Sequence, residues 1–235
     1  MSFDRRGVEI DLRHVAGELD ADGTYYKAAA ARIDEVVTQL LRPAAERGAV
    51  PHVSLFAIAR FPLLVHLGSR LDDALNVEVF QRHRVSESWV WPEPSDDDPR
   101  FTVRREGPAA GGRAEPATDA VLLINASGTI HRSELPQPTA GLPTYVVELE
   151  RGTPNTDSVR SRNVRDSFEK AIREMLGQLE HSDKTVRRLH VFAAAPVSVG
   201  ITLGRSIGWG IHPQLVVYDR LDDGTYRPAL EVTAR

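Results

Sequence analysis

Leu55-Phe56-Ala57-Ile58-Ala59, followed by Leu67-Gly68, returns in the second half of the chain as Val191-Phe192-Ala193-Ala194-Ala195, followed by Leu203-Gly204. The two stretches align without a gap at an offset of 136 residues (68 to 204). Leu63, Val65 and Leu71 then fall on Val199, Ile201 and Ile207, and the run Val77-Glu78-Val79-Phe80 comes close to Gln214-Leu215-Val216-Val217-Tyr218. Upstream, two amphipathic patterns occupy matching places. Tyr26, Ala30, Ile33, Val37 and Leu40 recur at helical spacing in the first, and Val164, Phe168, Ile172, Leu176 and Leu179 in the second. Such self-similarity means one supersecondary unit used twice.

A short strand-like run precedes each helix, Val8 to Leu12 and Tyr145 to Leu149. Each half therefore reads as βαβαβ with a parallel sheet. The expected fold is α/β, with two pseudo-symmetric Rossmann-like halves packed together. Residues 1–94 form the first half and 119–235 the second. Between them, Trp89 and Trp91 alternate on one face of Ser86 to Trp91, as in a half-buried strand. The stretch 92–118 is rich in Pro, Gly and Asp, with Pro108-Ala109-Ala110-Gly111-Gly112 at its centre, so 95–118 is expected to be a flexible loop or insertion. Val121 to Asn125 reads as a buried strand. The segments 85–91 and 121–125 are expected to add antiparallel strands, and Tyr226 to Val232 to form a last strand after a turn at Leu221 to Thr225.

Composition narrows the function classes. With 41% hydrophobic and 26% charged residues, the 235-residue chain can bury a sizeable core. No apolar run is long enough to span a membrane, and Met1 to Leu12 lacks a secretory core, so a cytoplasmic protein is expected. Zero cysteines exclude disulfides, thiolate metal sites and a cysteine nucleophile. The net charge of −4 argues against a surface for duplex nucleic acid, because such affinity comes mainly from phosphate neutralisation. A small anionic ligand in one local pocket stays open.

In open parallel sheets, ligands bind beyond the carboxyl ends of the strands, where helix N-termini favour anions. That rule selects Arg13-His14 and Arg151-Gly152-Thr153 after the first strands. It selects Arg60-Phe61-Pro62 and Ala195-Pro196-Val197-Ser198 after the second, and Gln81-Arg82-His83-Arg84 and Tyr218-Asp219-Arg220 after the third. Arg60 can meet phosphate as a forked donor. Phe61 can stack on a base or belong to the core. The small residues before Pro196 either admit a ligand to the backbone or pack a helix closely on the sheet. Gly200 and Gly204 suit tight helix packing. Arg160, Arg162 and Arg165 crowd a helix start, where cations oppose the macrodipole; a nearby anion or a solvated basic face would account for them. Trp209 either caps a base or plugs the seam between halves. The eight histidines show no zinc-ligand spacing, and the phosphate-binding glycine motifs are absent, so no metal, cofactor or catalytic residue is expected.

Leu189-His190-Val191-Phe192-Ala193-Ala194-Ala195-Pro196, Leu203-Gly204-Arg205, Pro213-Gln214-Leu215-Val216-Val217-Tyr218-Asp219 and Tyr226-Arg227-Pro228-Ala229-Leu230 resemble the C-terminal half of SAVED domains. Phe56-Ala57-Ile58-Ala59, Leu67-Gly68 and Trp89-Val90-Trp91 resemble the first half. The resemblance implies two fused CARF-like halves, forming the sensor part of bacterial CBASS antiviral (antiphage) effectors. It implies a cyclic oligonucleotide, usually an adenine-rich tri- or tetranucleotide, bound between the halves. It further implies a nuclease, TIR or protease effector as domain or subunit, and ligand-induced oligomerisation. Two rival readings are a CARF-like phosphodiesterase that degrades cyclic oligoadenylate, and a structural α/β assembly protein without a nucleotide ligand.

Overall fold

The computed structural model describes residues 7–15, 23–48, 52–71, 75–84, 86–107, 117–208 and 210–233. Helix α1 (Thr24–Val36) continues through a π turn (Val37–Leu41) into α2 (Arg42–Glu46). Strand β1 (Val53–Phe56), helix α3 (Phe61–Arg70) and strand β2 (Val77–Phe80) follow. Next come β3 (Phe101–Glu106), β4 (Asp119–Asn125), the short α4 (Gln137–Ala140) and β5 (Thr144–Leu149). The chain then forms α5 (Arg162–Ser182), β6 (Arg188–Ala194), α6 (Val197–Ser206), β7 (Gln214–Arg220) and β8 (Tyr226–Val232).

The architecture is α/β. Strands β1 and β2 form a parallel pair, and the other six make one sheet in the order β3-β5-β4-β6-β7-β8. Its four inner strands are parallel and its two edge strands antiparallel. Four consecutive apolar residues, Val121 to Ile124, suit β4 to the centre, where both faces are buried. Leu122 and Ile124 enter the core shared with α5 and α6, while Val121 and Leu123 enter a second cluster on the opposite face. All five apolar positions read along α5 are buried, and the Ser161 hydroxyl caps its start by accepting from the Val164 N–H.

The repeat is visible in three dimensions. Helices α3 and α6 are both ten residues long and stand at the same 136-residue offset at both ends. They lie directly against each other. A Cβ on Gly68 would overlap the Ile201 carbonyl, and one on Gly204 would overlap the Val65 carbonyl. Since Val65 and Ile201 are themselves repeat partners, the contact is reciprocal, as at a two-fold axis. Gly200 also faces its own partner, Leu64, at 3.0 Å from a Cβ placed on it. Contacts advance together along both helices, so the pair runs parallel, with both N-termini at one end. The reading of Gly200 and Gly204 as tight-packing residues holds.

Aromatic residues repeat too. Phe56 stacks on Phe80 (4.7 Å) with the edge of Trp89 against it (5.4 Å). Phe192 stacks on Tyr218 (4.1 Å) with the edge of Tyr226 against it (5.2 Å). The segment around Trp89 thus occupies the place that β8 takes in the other half.

Several local expectations differ from the structure. Val8 to Leu12 forms no strand; Ile10 and Leu12 instead pack on the cluster between α1 and α3. Ser86 to Trp91 is irregular, although the His83 N–H donates to the Ser88 carbonyl as in a hairpin, and Trp91 is buried with its indole N–H on the Val79 carbonyl. Residues 121–125 are parallel, not antiparallel. Within the stretch expected to be loop, 101–106 is an edge strand paired to β5 over its whole length. Phe101 and Val103 point into the core, and Phe101 meets Phe168 edge to face. Residues 108–116 and Trp209 lie outside the described residues. Leu40 is exposed because the π turn rotates the helix face by about one residue. Among the described residues, no helix is long and apolar enough to cross a membrane.

Candidate functional site

The parallel α3–α6 pair brings two helix N-termini together beyond the carboxyl ends of β1 and β6. Arg60 and Pro196, repeat partners, are the two N-cap residues, and neither caps its helix with a side chain. Proline at the second position of α3 and proline at the cap of α6 both suit the chain to a helix start. Two dipoles of the same sense then point their positive ends at one region, which favours an anion.

Each helix start reaches across to the other half. The Arg60 guanidinium donates to Asp219 Oδ2 at 2.6 Å, and the Tyr26 hydroxyl from α1 donates to the same oxygen. On the other side, the Ser198 hydroxyl donates to Gln81 Oε1 at 2.6 Å, and the Gln81 amide donates to the Val159 carbonyl at 2.9 Å. Gln81 follows the stacked Phe80 as Asp219 follows the stacked Tyr218. The two cross-links are therefore pseudo-symmetric, one charged and one neutral. Gln81 and Ser198 are buried, whereas the Arg60 side chain keeps 36% of its surface exposed. Burial opposes charge on Arg60, but the hydrogen bond and charge of Asp219 outweigh it and hold the guanidinium more firmly protonated. Burial, then the Asp219 hydrogen bond, push the Tyr26 phenol well above its usual range.

Of the residues selected from sequence, the structure brings Arg60, Phe61, Gln81, Pro196, Val197 and Ser198 together around the helix starts. Ala195, half-buried, leads into them. Phe61 fills the space that Gly200 leaves open, with its ring 3.2 Å from a Cβ placed there, and packs on the main core. Tyr218 is buried in the cluster on the opposite face of the sheet, where its hydroxyl meets His190 Nδ1 at 3.1 Å. Its ring serves the core because the strand alternation turns it away from α6. Arg13 is exposed and paired with Asp11 at 2.8 Å and Glu9 at 3.4 Å; His14, Arg151 and Thr153 are exposed. Tyr26 reads from sequence only as a core position of its helix, and Asp219, inside the loop selected after the third strand of the second half, is not singled out there as a site residue. Asp219 could have been found from its place after the aromatic that aligns with Phe80.

The arginine cluster at the start of α5 is explained by the protein itself. Arg160 pairs with Asp98 at 2.9 Å, Arg162 with Glu78, and Arg165 with Asp166 at 2.7 Å while lying over the Trp91 ring. The Asp98 carboxylate also accepts from the Ser161 cap, so it supplies the anion that offsets the dipole conflict. A cavity of about 620 Å³ lies at the opposite end of α3 and α6, against α5. Helix C-termini face it, and its lining charges are largely paired, Arg173 with Glu169 and His212 with Glu180. It is a poorer anion site than the helix starts. Among the described residues, no group of three or more His, Asp or Glu stands close enough to hold a metal.

Comparison with known proteins follows the same line. A family model described as the SMODS-associated and fused to various effectors sensor domain, SAVED, matches residues 33–232. No curated protein matches the sequence. The fold is similar to the Acinetobacter baumannii Cap4 SAVED/CARF-domain containing receptor with the cyclic trinucleotide 2'3'3'-cAAA, at TM-score 0.62 and 16% identity over 92% of this chain. The same receptor with 3'3'3'-cAAA gives TM-score 0.61 and 16% identity over 91% of this chain. The Moraxella osloensis Cap4 SAVED/CARF-domain containing receptor gives 0.56 and 16% identity over 91%. The alignments cover 45%, 45% and 43% of those chains, so this chain spans less than half their length.

Proposed function

Because the chain belongs to the SAVED family of sensor domains, we propose that it is the receptor for a cyclic oligonucleotide, an adenine-rich tri- or tetranucleotide, acting in CBASS-type antiviral defence. One observation carries the reading: two parallel helix N-termini meet on a pseudo-two-fold axis beyond the carboxyl ends of the strands, with the partly exposed Arg60 at the start of one of them. Duplicated half-sites suit a ligand with repeated phosphates and bases. The bound cyclic trinucleotides of the structurally similar Cap4 receptors support the ligand class.

In this reading Arg60 supplies charge to a phosphate, and the backbone at Ala195, Pro196 and Val197 approaches another without steric bulk. Gln81 and Ser198 hold the halves in register beneath them. In the same reading the exposed Arg13, His14, Arg151 and Thr153 would contact the ligand from outside this group. Occupancy is passed to a nuclease, TIR or protease effector, in the same polypeptide or another, by assembly or by movement of the halves. A cysteine-free chain fits the reducing cytoplasm where such a messenger would be made.

Calorimetry against cyclic di-, tri- and tetranucleotides tests this. A tri- or tetra-adenylate should bind, and Arg60→Ala should weaken it by about 1.5–3 kcal/mol, the worth of a charged hydrogen bond. Silence across the whole panel would remove the ligand class.

A further inference from the structure

The two pseudo-symmetric cross-links at the helix starts are chemically unequal. Gln81–Ser198 is neutral, buried and anchored a second time on the Val159 carbonyl, so it has nothing to gain by opening. Arg60–Asp219 is charged and reaches solvent, with the arginine one-third exposed and the carboxylate side chain 12% exposed. Arg60 reaches Asp219 through a single N–H···O contact, although a guanidinium carries five donors in a fork matched to phosphate. Asp219 retains a second donor, Tyr26, whichever way Arg60 turns.

We infer that Asp219 is an internal stand-in for a ligand phosphate: it holds Arg60 while the site is empty, and an incoming phosphate must take Arg60 from it. The inference rests on the receptor reading and adds its regulation. Displacement breaks the charged cross-link from α3 to β7 while the neutral one from α6 to β2 stays closed. That side of the seam is then held by Tyr26–Asp219 without the Arg60 ion pair, so occupancy loosens it relative to the Gln81–Ser198 side and becomes a change in the packing of the halves. The latch lowers affinity by the amount needed to break it, which guards against response to weak anions.

The sign of one substitution separates a competitor from a support. Asp219→Asn keeps the shape and an acceptor for Tyr26 but removes the charge. Titrated with 3'3'3'-cAAA, D219N should bind at least fivefold more tightly than the natural chain, and Asp219→Ala should act in the same direction. Arg60→Ala and the Arg60→Ala/Asp219→Asn double variant should bind with the same reduced affinity, because the carboxylate acts only through Arg60. Circular dichroism and thermal unfolding establish that each variant is folded. If folded D219N and D219A bind as the natural chain does, or more weakly, Asp219 orients Arg60 and the latch is refuted while the receptor reading stands. If neither the natural chain nor D219N binds any cyclic oligonucleotide of the panel, both fall together.

Discussion

Gly204→Ala places one methyl group where two helix backbones meet. Its Cβ would overlap the Val65 carbonyl, approach the Ser69 nitrogen to 2.7 Å and the Gly68 carbonyl carbon to 3.0 Å. All three are backbone atoms, so no side chain can swing aside; α3 and α6 must separate by more than about 1 Å to bring the Val65 carbonyl out to ordinary contact near 3.4 Å. Overpacking of this kind costs about 1–3 kcal/mol, occasionally more. Alanine returns up to about 1 kcal/mol of helix propensity. With rigid atoms on both sides the upper end applies, leaving a net loss of about 2–3 kcal/mol, or roughly 5–10 °C in Tm for a chain of this size. Gly68→Ala should lose a similar amount through Ile201. Because both methyls force open the same contact, the double variant should lose less than the two singles together. Gly177→Ala on α5 is the control: nothing stands within 4 Å of a Cβ there, so it should be neutral or stabilising by up to about 1 kcal/mol. Urea denaturation measures all four. If G204A and G68A are as stable as the natural chain, the helices do not cross on these glycines and the reciprocal axis is wrong.

Truncating Phe101 to alanine should destabilise by about 3 kcal/mol in the same urea assay, since the ring packs on Phe168 under an edge strand; a loss below about 1 kcal/mol would mean that β3 does not dock. Asp183 accepts from Arg105 at 2.8 Å and from the Tyr145 hydroxyl, and although burial disfavours its charge, these partners hold its carboxyl below the usual carboxylate range. Its contribution is therefore complete above about pH 4 and fades as pH falls through the lowered value. Asp183→Asn should flatten the pH dependence of stability below about pH 4, and an unchanged acid limb would assign that loss to other carboxylates. Ligand should raise the molar mass seen by light scattering, with apparent affinity tightening as protein concentration rises, since assembly and binding are linked. A ligand-bound chain that stays monomeric at all concentrations would leave movement of the halves as the readout.

The amino-acid sequence by itself determined the duplication, its offset, the strand–helix–strand order around Gly68 and Gly204, the buried face of α5 and the buried strand at Val121 to Ile124. Those features rest on periodicity and on runs of apolar residues, which act over a few positions and are written locally. The family likeness followed from the same residues. Only the tertiary structure decided that Phe101 to Glu106 is a strand. Its partner β5 and its cover α5 lie far along the chain, and an edge strand with three charged residues out of six carries little local signal. Val8 to Leu12 shows the converse, a strand-like pattern with no strand pairing among the described residues. The cross-links depend on packing in the same way. Arg60 meets Asp219 across 159 residues and Gln81 meets Ser198 across 117, pairings fixed by how two glycine-faced helices cross rather than by any pattern in the chain. A polar side chain has no periodicity to announce its partner, so the duplicated core was legible in the sequence and the chemistry at its seam was not.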